Sequence, residues 1–287
     1  MGGAVTLKVI AEYDAGHCIV TSMHVALITG GTAGIGAAFA RAFASRGVGL
    51  VLVARDEGRL ETFAADLRST FGIEVETLIA DLADRDDQTR VAVRIEDPGE
   101  HRPIDIVVNN AGFSVGASLL ATDLEEHDRG FEVMQRAVLV IGGAAARAMT
   151  KRGRGWIITV CSVSSGLTQN NYTAIKAWAL NYSESLAVET AGTGVTVTAL
   201  VPGWVRTEFH ARAGIAGTSI PDVLWLDPDD LVEECLRDVA RGRTVSVPQL
   251  RWKAIVAGLR IAPRSAIHRL SSALTSRRNE ERDRRGA

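Results

Sequence analysis

The sequence predicts a single α/β domain, a doubly wound parallel sheet of about seven strands with helices on both faces. Three observations carry this. Residues 24–36 run from a short β-branched apolar stretch through a glycine-dense turn, with Gly30, Gly34 and Gly36, into an Ala-rich helical stretch. Strand-like and helix-like segments then alternate to about residue 250, which implies right-handed crossovers and a parallel sheet. The chemically unusual residues fall at the carboxyl ends of those strands, where the ligand crevice of such a sheet lies.

Taken in order, the apolar run 24–29 is the first strand and Ala37 to Arg46 the first helix. Gly49 to Ala54 is a continuous apolar run, as expected of a strand covered on both faces. Asp56 to Phe71 spaces Leu60, Phe63, Ala64 and Leu67 at helical intervals. Glu74 to Ala80 reads as the third strand, and Ile104 to Asn109 as the fourth. A long helical segment, Leu124 to Lys151, precedes the fifth strand, Trp156 to Val160. Tyr172 to Thr190 is helical, Gly194 to Leu200 is the sixth strand, and Asp229 to Ala240 with Thr244 to Val247 make a last helix and strand. The strand ends carry Gly30, Arg55, Asp81, Asn109 to Gly112, Ser162 and Pro202-Gly203.

Bulk properties narrow the function classes. With 287 residues, 46% of them apolar, and a formal charge of −2, the chain can bury one large core and gives no electrostatic reason to expect a nucleic-acid partner. Cys18, Cys161 and Cys235 are too few and too widely spaced for a disulfide framework or a cysteine metal site, so a cytoplasmic, reduced setting is expected and no metal. No apolar run reaches bilayer-spanning length. Residues 1–22 carry Lys8, Glu12 and Asp14 and lack the order of a signal peptide. The expectation is that they form an extension outside the native protein, which would start at Met23. The domain then covers 23–250, and 251–287 is a basic helical tail.

The glycine turn lets backbone N–H groups close on a pyrophosphate at a helix N-terminus. Arg55 at the tip of the second strand can grip a ribose 2′-phosphate, which points to NADP(H); Asp56 beside it keeps NAD(H) open, because an acid there would bond a free 2′-hydroxyl. Tyr172 and Lys176, four apart at a helix start, share one face. A free phenol has a pKa of about 10 and is a poor acid or base at neutral pH. A neighbouring ammonium, together with a cationic nicotinamide ring, would favour the phenolate, and the phenol could then exchange a proton with a carbonyl or alcohol oxygen.

The motifs Thr29-Gly30-x-x-x-Gly34-Ile35-Gly36, Asp81-Leu82, Asn109-Asn110-Ala111-Gly112, Tyr172-x-x-x-Lys176 and Pro202-Gly203 with Thr207 stand in one order over residues 24–250. In this the chain resembles the short-chain dehydrogenase/reductase family, with its Rossmann-type fold, and most of all bacterial reductases of lipophilic ketones of the 3-oxoacyl type. The resemblance implies Tyr172 as acid/base, Lys176 on the nicotinamide ribose and Ser162 on the substrate carbonyl. It sets Asp81 against the adenine, the run Asn109, Asn110, Ala111 and Gly112 along the cleft, and Val205 and Thr207 near the carboxamide. Gly30, Thr32, Gly34, Ile35, Gly36, Arg55, Leu82, Pro202 and Gly203 complete the expected cofactor site. Two departures stand out. The family usually carries an asparagine in the long helix, where it anchors a water behind the lysine; Met134 falls at that position here. The stretch from Ser162 to Tyr172 is also a few residues short, so Ser164 or Ser165 could take the serine role.

Between Pro202 and Asp229 lie Trp204, Phe209, Ile215, Ile220, Val223, Leu224, Trp225 and Leu226, an apolar segment suited to covering a lipophilic carbonyl or alcohol substrate or to an oligomer interface. A homodimer or homotetramer is the expected assembly. From Arg251 onward ten Lys or Arg face three acids, with apolar residues interleaved. That tail could touch an anionic membrane surface or pack on the body as an ordinary helix. The sequence thus reads as an NADP(H)-dependent oxidoreductase of an apolar ketone or aldehyde (ketoacyl, polyketide or terpenoid). The alternative is a catalytically impaired NADP-binding sensor or assembly protein of the same fold.

Overall fold

The computed structural model describes the backbone of Tyr13–Asp14 and His17–Cys18, and residues 24–208 and 221–274. Strands β1 (Tyr13–Asp14) and β2 (His17–Cys18) pair antiparallel. The rest of the N-terminal extension, Phe209, Ile215 and Ile220 of the apolar segment after Pro202, and 275–287 lie outside the described residues.

The central sheet has seven strands: β3 (Val25–Thr29), β4 (Gly49–Ala54), β5 (Val75–Ile79), β6 (Ile106–Asn109), β7 (Gly155–Val160), β8 (Val195–Leu200) and β11 (Val245–Ser246). Their spatial order is β11-β8-β7-β6-β3-β4-β5, and every pairing is parallel. The chain therefore winds outward from β3 through β4 to β5, returns, and winds the other way from β6. The switch point lies between β3 and β6, where the crevice of a doubly wound sheet opens.

Strand alternation divides the core in two. On one face Ala26, Ile28, Leu50, Leu52 and Ile158 pack under α1 (Gly34–Ala44), α2 (Glu57–Phe71) and α7 (Pro228–Ala240). Phe39 and Phe43 of α1 are fully buried there with ring centroids 6.0 Å apart, each contributing about 2–3 kcal/mol by area removed from water. On the other face Leu27, Val51, Val107 and Ile157 pack under α3 (Arg85–Glu96), α5 (Ala137–Arg152) and α6 (Asn171–Glu189).

Element starts follow local chemistry. Asp56 caps α2 by accepting from the Arg59 N–H, and Asp84 caps α3 by accepting from Asp86 and Asp87. Asn170 and Thr173 form a capping box that fixes where α6 begins, one residue before Tyr172. The sequence reading contains no α3: its buried side is Val91, Ala92 and Ile95 together with Gln88, so its apolar period is weak. The long helix is also interrupted. It runs as α4 (Glu125–Phe131), a π-helical turn at Glu132–Arg136 centred on Met134, and then α5. Helix α1 starts at Gly34, inside the glycine turn, rather than at Ala37.

Two short parallel strands, β9 (Trp204–Val205) and β10 (Trp225–Leu226), pair with each other outside the central sheet. The tail forms α8 (Leu250–Ile261) and α9 (264–274). It packs on the body: Trp252 is buried, Lys253 pairs with Glu234 at 2.6 Å, and the Thr168 N–H donates to the Ser271 hydroxyl at 3.1 Å. Helix α8 begins at Leu250, ahead of the expected boundary. Among the described residues no helix is long and apolar enough to cross a membrane.

Candidate active site

At the switch point the loop after β3 is bolted to the end of β6. The Asn110 amide donates to the carbonyls of Thr29 and Gly30 at 2.9 and 3.0 Å, and the Thr29 hydroxyl accepts from the N–H groups of Asn110 and Ala111. Gly30 sits at φ +64°, and a Cβ on Gly36 would stand 2.3 Å from the Gly30 carbonyl oxygen. Glycine is therefore required at both positions by the loop's own closure. The N-cap residue Ala33 offers α1 no side-chain cap, so the helix N-terminus keeps N–H groups for an anion. Thr32 faces Gly58, Arg59 and Thr62 across an open cleft. Thr207 stands over the loop, its Cβ 3.2 Å from where a Gly34 Cβ would lie. Arg59, which reaches from α2 to Glu208 at 2.9 Å, is absent from the sequence-predicted site.

At the end of β4, Arg55 is exposed beside the loop, and Asp56 is committed to capping α2 through a 3.0 Å bond from the Arg59 N–H. One oxygen of Asp56 is thereby spent on the helix. After β5, both Asp81 oxygens face Arg129 of α4, at 3.1 and 2.9 Å, and Oδ1 also accepts from the Ala83 N–H. Burial pushes the Asp81 carboxyl up, but the Ala83 N–H and Arg129 hold it below the usual carboxylate range. Leu82 is buried, its carbonyl held by Gln88.

The end of β7 gathers the reactive side chains. Ser162 Oγ accepts from the Ser164 N–H at 3.1 Å and from the Ser164 hydroxyl at 2.9 Å. With both lone pairs used, its own proton is left to donate. That hydroxyl is a hydrogen-bond partner of the Tyr172 phenol. Ser164 thus supports Ser162, and Ser165 lines an outer groove between α6 and the tail helices. Lys176 is buried; its Nζ donates to the Val160 carbonyl at 2.8 Å and lies 5.8 Å from the Tyr172 ring centroid.

Burial raises the Tyr172 pKa well above its ordinary value, against an opposing pull from Ser162, and burial lowers that of Lys176. The expected depression of the phenol by the lysine is not delivered by the protein alone. Burial likewise pushes the neighbouring Cys161 thiol up to about 12. Met134 is fully buried, with its Sδ 3.2 Å and Lys176 Nζ 3.6 Å from where a Gly112 Cβ would lie. The thioether and the lysine ammonium therefore both lie against Gly112.

Two further residues were not read from the sequence. Buried His127 of α4 accepts at Nδ1 from the Asn171 amide at 2.9 Å and donates at Nε2 to the Ser118 carbonyl at 3.0 Å, pinning the residue before Tyr172. Trp252 occupies the space next to Gly203, 2.0 Å from where its Cβ would be, so packing alone demands glycine there. Pro202 is tied to the turn after Ser162 through a 3.0 Å bond from the Val163 N–H, and Val205 is buried in β9.

Residues 24–215 match the family described as short chain dehydrogenase. The chain is 33% identical over 200 residues to the 3-oxoacyl-[acyl-carrier-protein] reductase of Escherichia coli, covering 67% of this chain and 80% of that protein. It is 34% identical over 191 residues to a gluconate 5-dehydrogenase of Gluconobacter oxydans, covering 65% of this chain and 73% of that protein. Among solved structures, a short-chain dehydrogenase from Sphingobium yanoikuyae in complex with NADPH superposes with a TM-score of 0.75 at 35% identity, covering 82% of this chain and 93% of the other.

Proposed function

The chain belongs to the short-chain dehydrogenase family, and on that premise we propose that it is an NADP(H)-dependent oxidoreductase interconverting an apolar ketone or aldehyde with its alcohol. One observation carries the reading. The Ser162 hydroxyl, the Tyr172 phenol and the Lys176 ammonium converge at the end of β7, on the side of the switch point opposite the glycine loop. The choice of NADP(H) over NAD(H) is supported by exposed Arg55, by the spending of Asp56 on the α2 cap, and by the NADPH carried by the Sphingobium protein.

The residues then divide the work. A nicotinamide held in the crevice would supply hydride to the carbonyl carbon, or take it from the alcohol carbon in the reverse direction. Ser162 donates a hydrogen bond to the carbonyl oxygen, where negative charge develops. Tyr172 passes its proton to that oxygen, and the burial that raises its pKa keeps it in the acid form that reduction needs. Lys176, held by the Val160 carbonyl, sits where its charge and that of the nicotinamide can return the phenol to a useful range. Gly30 to Gly36 and Thr32 would hold the pyrophosphate, Asp81 and Leu82 would flank the adenine, and Pro202 to Thr207 would meet the nicotinamide end.

Relatives acting on a ketoacyl thioester and on a sugar acid do not choose the substrate between them. The apolar reading is supported by Trp204 and Trp225, 6.2 Å apart on β9 and β10, and by Leu119 and Leu120, 67% and 91% exposed on the loop after β6. Exposed Leu139 on α5 and Val188 on α6 support a homodimer or homotetramer. The catalytic unit is residues 23–250, with the tail as its buttress.

The test is turnover of a carbonyl panel, including 3-oxoacyl thioesters, cyclic terpenoid ketones and 5-ketogluconate, with NADPH and with NADH. Apolar ketones should be reduced with NADPH preferred, and Tyr172→Phe should cut kcat by about 10²–10⁴ with NADPH binding retained. Tight NADPH binding without turnover on any carbonyl would favour the cofactor-binding sensor instead, the reading to which Met134 lends support.

A further inference from the structure

Three buried polar groups around the ends of β6 and β7 have fewer partners than their chemistry calls for. Lys176 is 6% exposed, and its ammonium carries three N–H donors. Among the described residues its hydrogen bond is to the Val160 carbonyl. Thr159 Oγ1 and Asn109 Nδ2 are both fully buried atoms without a partner, on residues 2% and 4% exposed. They are neighbours, because Asn109 and Thr159 are paired residues of β6 and β7. Strand alternation turns both toward the face under α5 and α6, since Val107 and Ile157, two residues earlier, lie in that core. Thr159 directly precedes Val160, the residue that holds Lys176.

The remaining wall is Met134. Its thioether and the Lys176 ammonium both lie against Gly112, and a thioether is at most a weak acceptor. A hydroxyl, an amide and an ammonium in a buried spot can together satisfy a single water, which makes about three hydrogen bonds in protein interiors.

We propose that Asn109 and Thr159 hold one bound water against the Lys176 ammonium, which makes Thr159 a positioning residue for Lys176. The water supplies from the sheet the acceptor that Met134 cannot supply from the helix. The ammonium is thereby fixed by two acceptors, the Val160 carbonyl and the water, and stays aimed along Tyr172. The kinetic side of this rests on the oxidoreductase reading; the water site itself does not.

In the NADPH-loaded enzyme, Thr159→Val should lower kcat about tenfold, the effect of one lost hydrogen bond to a charged group, with ketone KM and NADPH Kd within about twofold. Thr159→Ser keeps the hydroxyl and should keep wild-type kcat. Met134→Asn added to Thr159→Val should restore most of the rate, because the amide carbonyl offers the water an acceptor from the other side. Unchanged kcat in Thr159→Val overturns the proposal. So does a loss that Thr159→Ser shares, since that pattern marks a packing role, or one that Met134→Asn leaves unrepaired, since the hydroxyl then acts through something other than the water. If the wild-type protein turns over no carbonyl, the oxidoreductase reading fails, and a high-resolution crystal structure of the NADPH complex decides the water site separately. A water within hydrogen-bond distance of Thr159 Oγ1 and Lys176 Nζ supports it; a dry site there overturns it.

Discussion

At the glycine-loop end of the crevice, polar side chains are spent on the protein; at the β7 end they are held for something else. Asn110 and Thr29 close the loop, Asp56 caps α2, and Asp81 is shared between Ala83 and Arg129. What this end offers a ligand is backbone N–H groups and the exposed Arg55. At the other end the Ser162 proton is aimed at the Tyr172 phenol, and among the described residues Lys176 is held by the Val160 carbonyl while Thr159 and Asn109 have buried atoms with no partner. A buried donor left without any partner would cost about 1–3 kcal/mol, so the β7 end calls for partners that these side chains do not find in the protein. The nucleotide end is shaped before anything binds. The chemical end completes itself around its ligands.

That contrast breaks most readily at the serines. If the β7 end works by one hydroxyl with a proton to give, Ser162→Ala removes a donor to the developing oxyanion and should lower kcat by about 10²–10³. Ser165→Ala, in the outer groove, should stay within about twofold of wild type. Steady-state kinetics on one ketone suffices, and equal losses in both variants would erase the distinction drawn between the serines. At the other end, Asn110→Ala removes two bonds that hold the Thr29 and Gly30 carbonyls. NADPH affinity should weaken about tenfold to a hundredfold by calorimetry, with kcat at saturating NADPH changed far less. A variant that binds normally but loses kcat would show that the loop closure serves the chemistry and not the nucleotide.

What was legible in the sequence was local. The glycine turn, the four-residue spacing of Tyr172 and Lys176, and the apolar runs of β3, β4 and β7 each declare themselves within a dozen residues, and each lies where expected. The unread parts act across sequence. Asn110 reaches residues 80 and 81 positions away, His127 meets Asn171 across 44, and Arg129 meets Asp81 across 48. No spacing rule links such pairs until the fold brings them together. Helix α3 escaped for another reason: fully buried Gln88 holds the place an apolar residue would mark, bonded to Leu82 and Arg136. Its start was still signalled by Asp84 as cap, with Asp86 and Asp87 in the first turn. The basic tail was legible as a helix; that Trp252 would fill the space beside Gly203 was not.

The smallest effect tests how finished the nucleotide end is. Arg129 and Asp81 are each a little over one-third exposed, at 36% and 37%, so their pair is screened and contributes no more than about 1 kcal/mol. Removing the guanidinium in Arg129→Ala leaves Asp81 Oδ1 its bond from the Ala83 N–H, which holds the carboxylate in place. The carboxyl's pKa should rise toward its ordinary value, yet it stays ionised at pH 7 because that value is itself about 4. NADPH Kd should therefore move by less than about fivefold, and kcat should not move. A much larger loss would mean that Arg129, and not Asp81, is the group that meets the adenosine, and that this corner too keeps a side chain in reserve for its ligand.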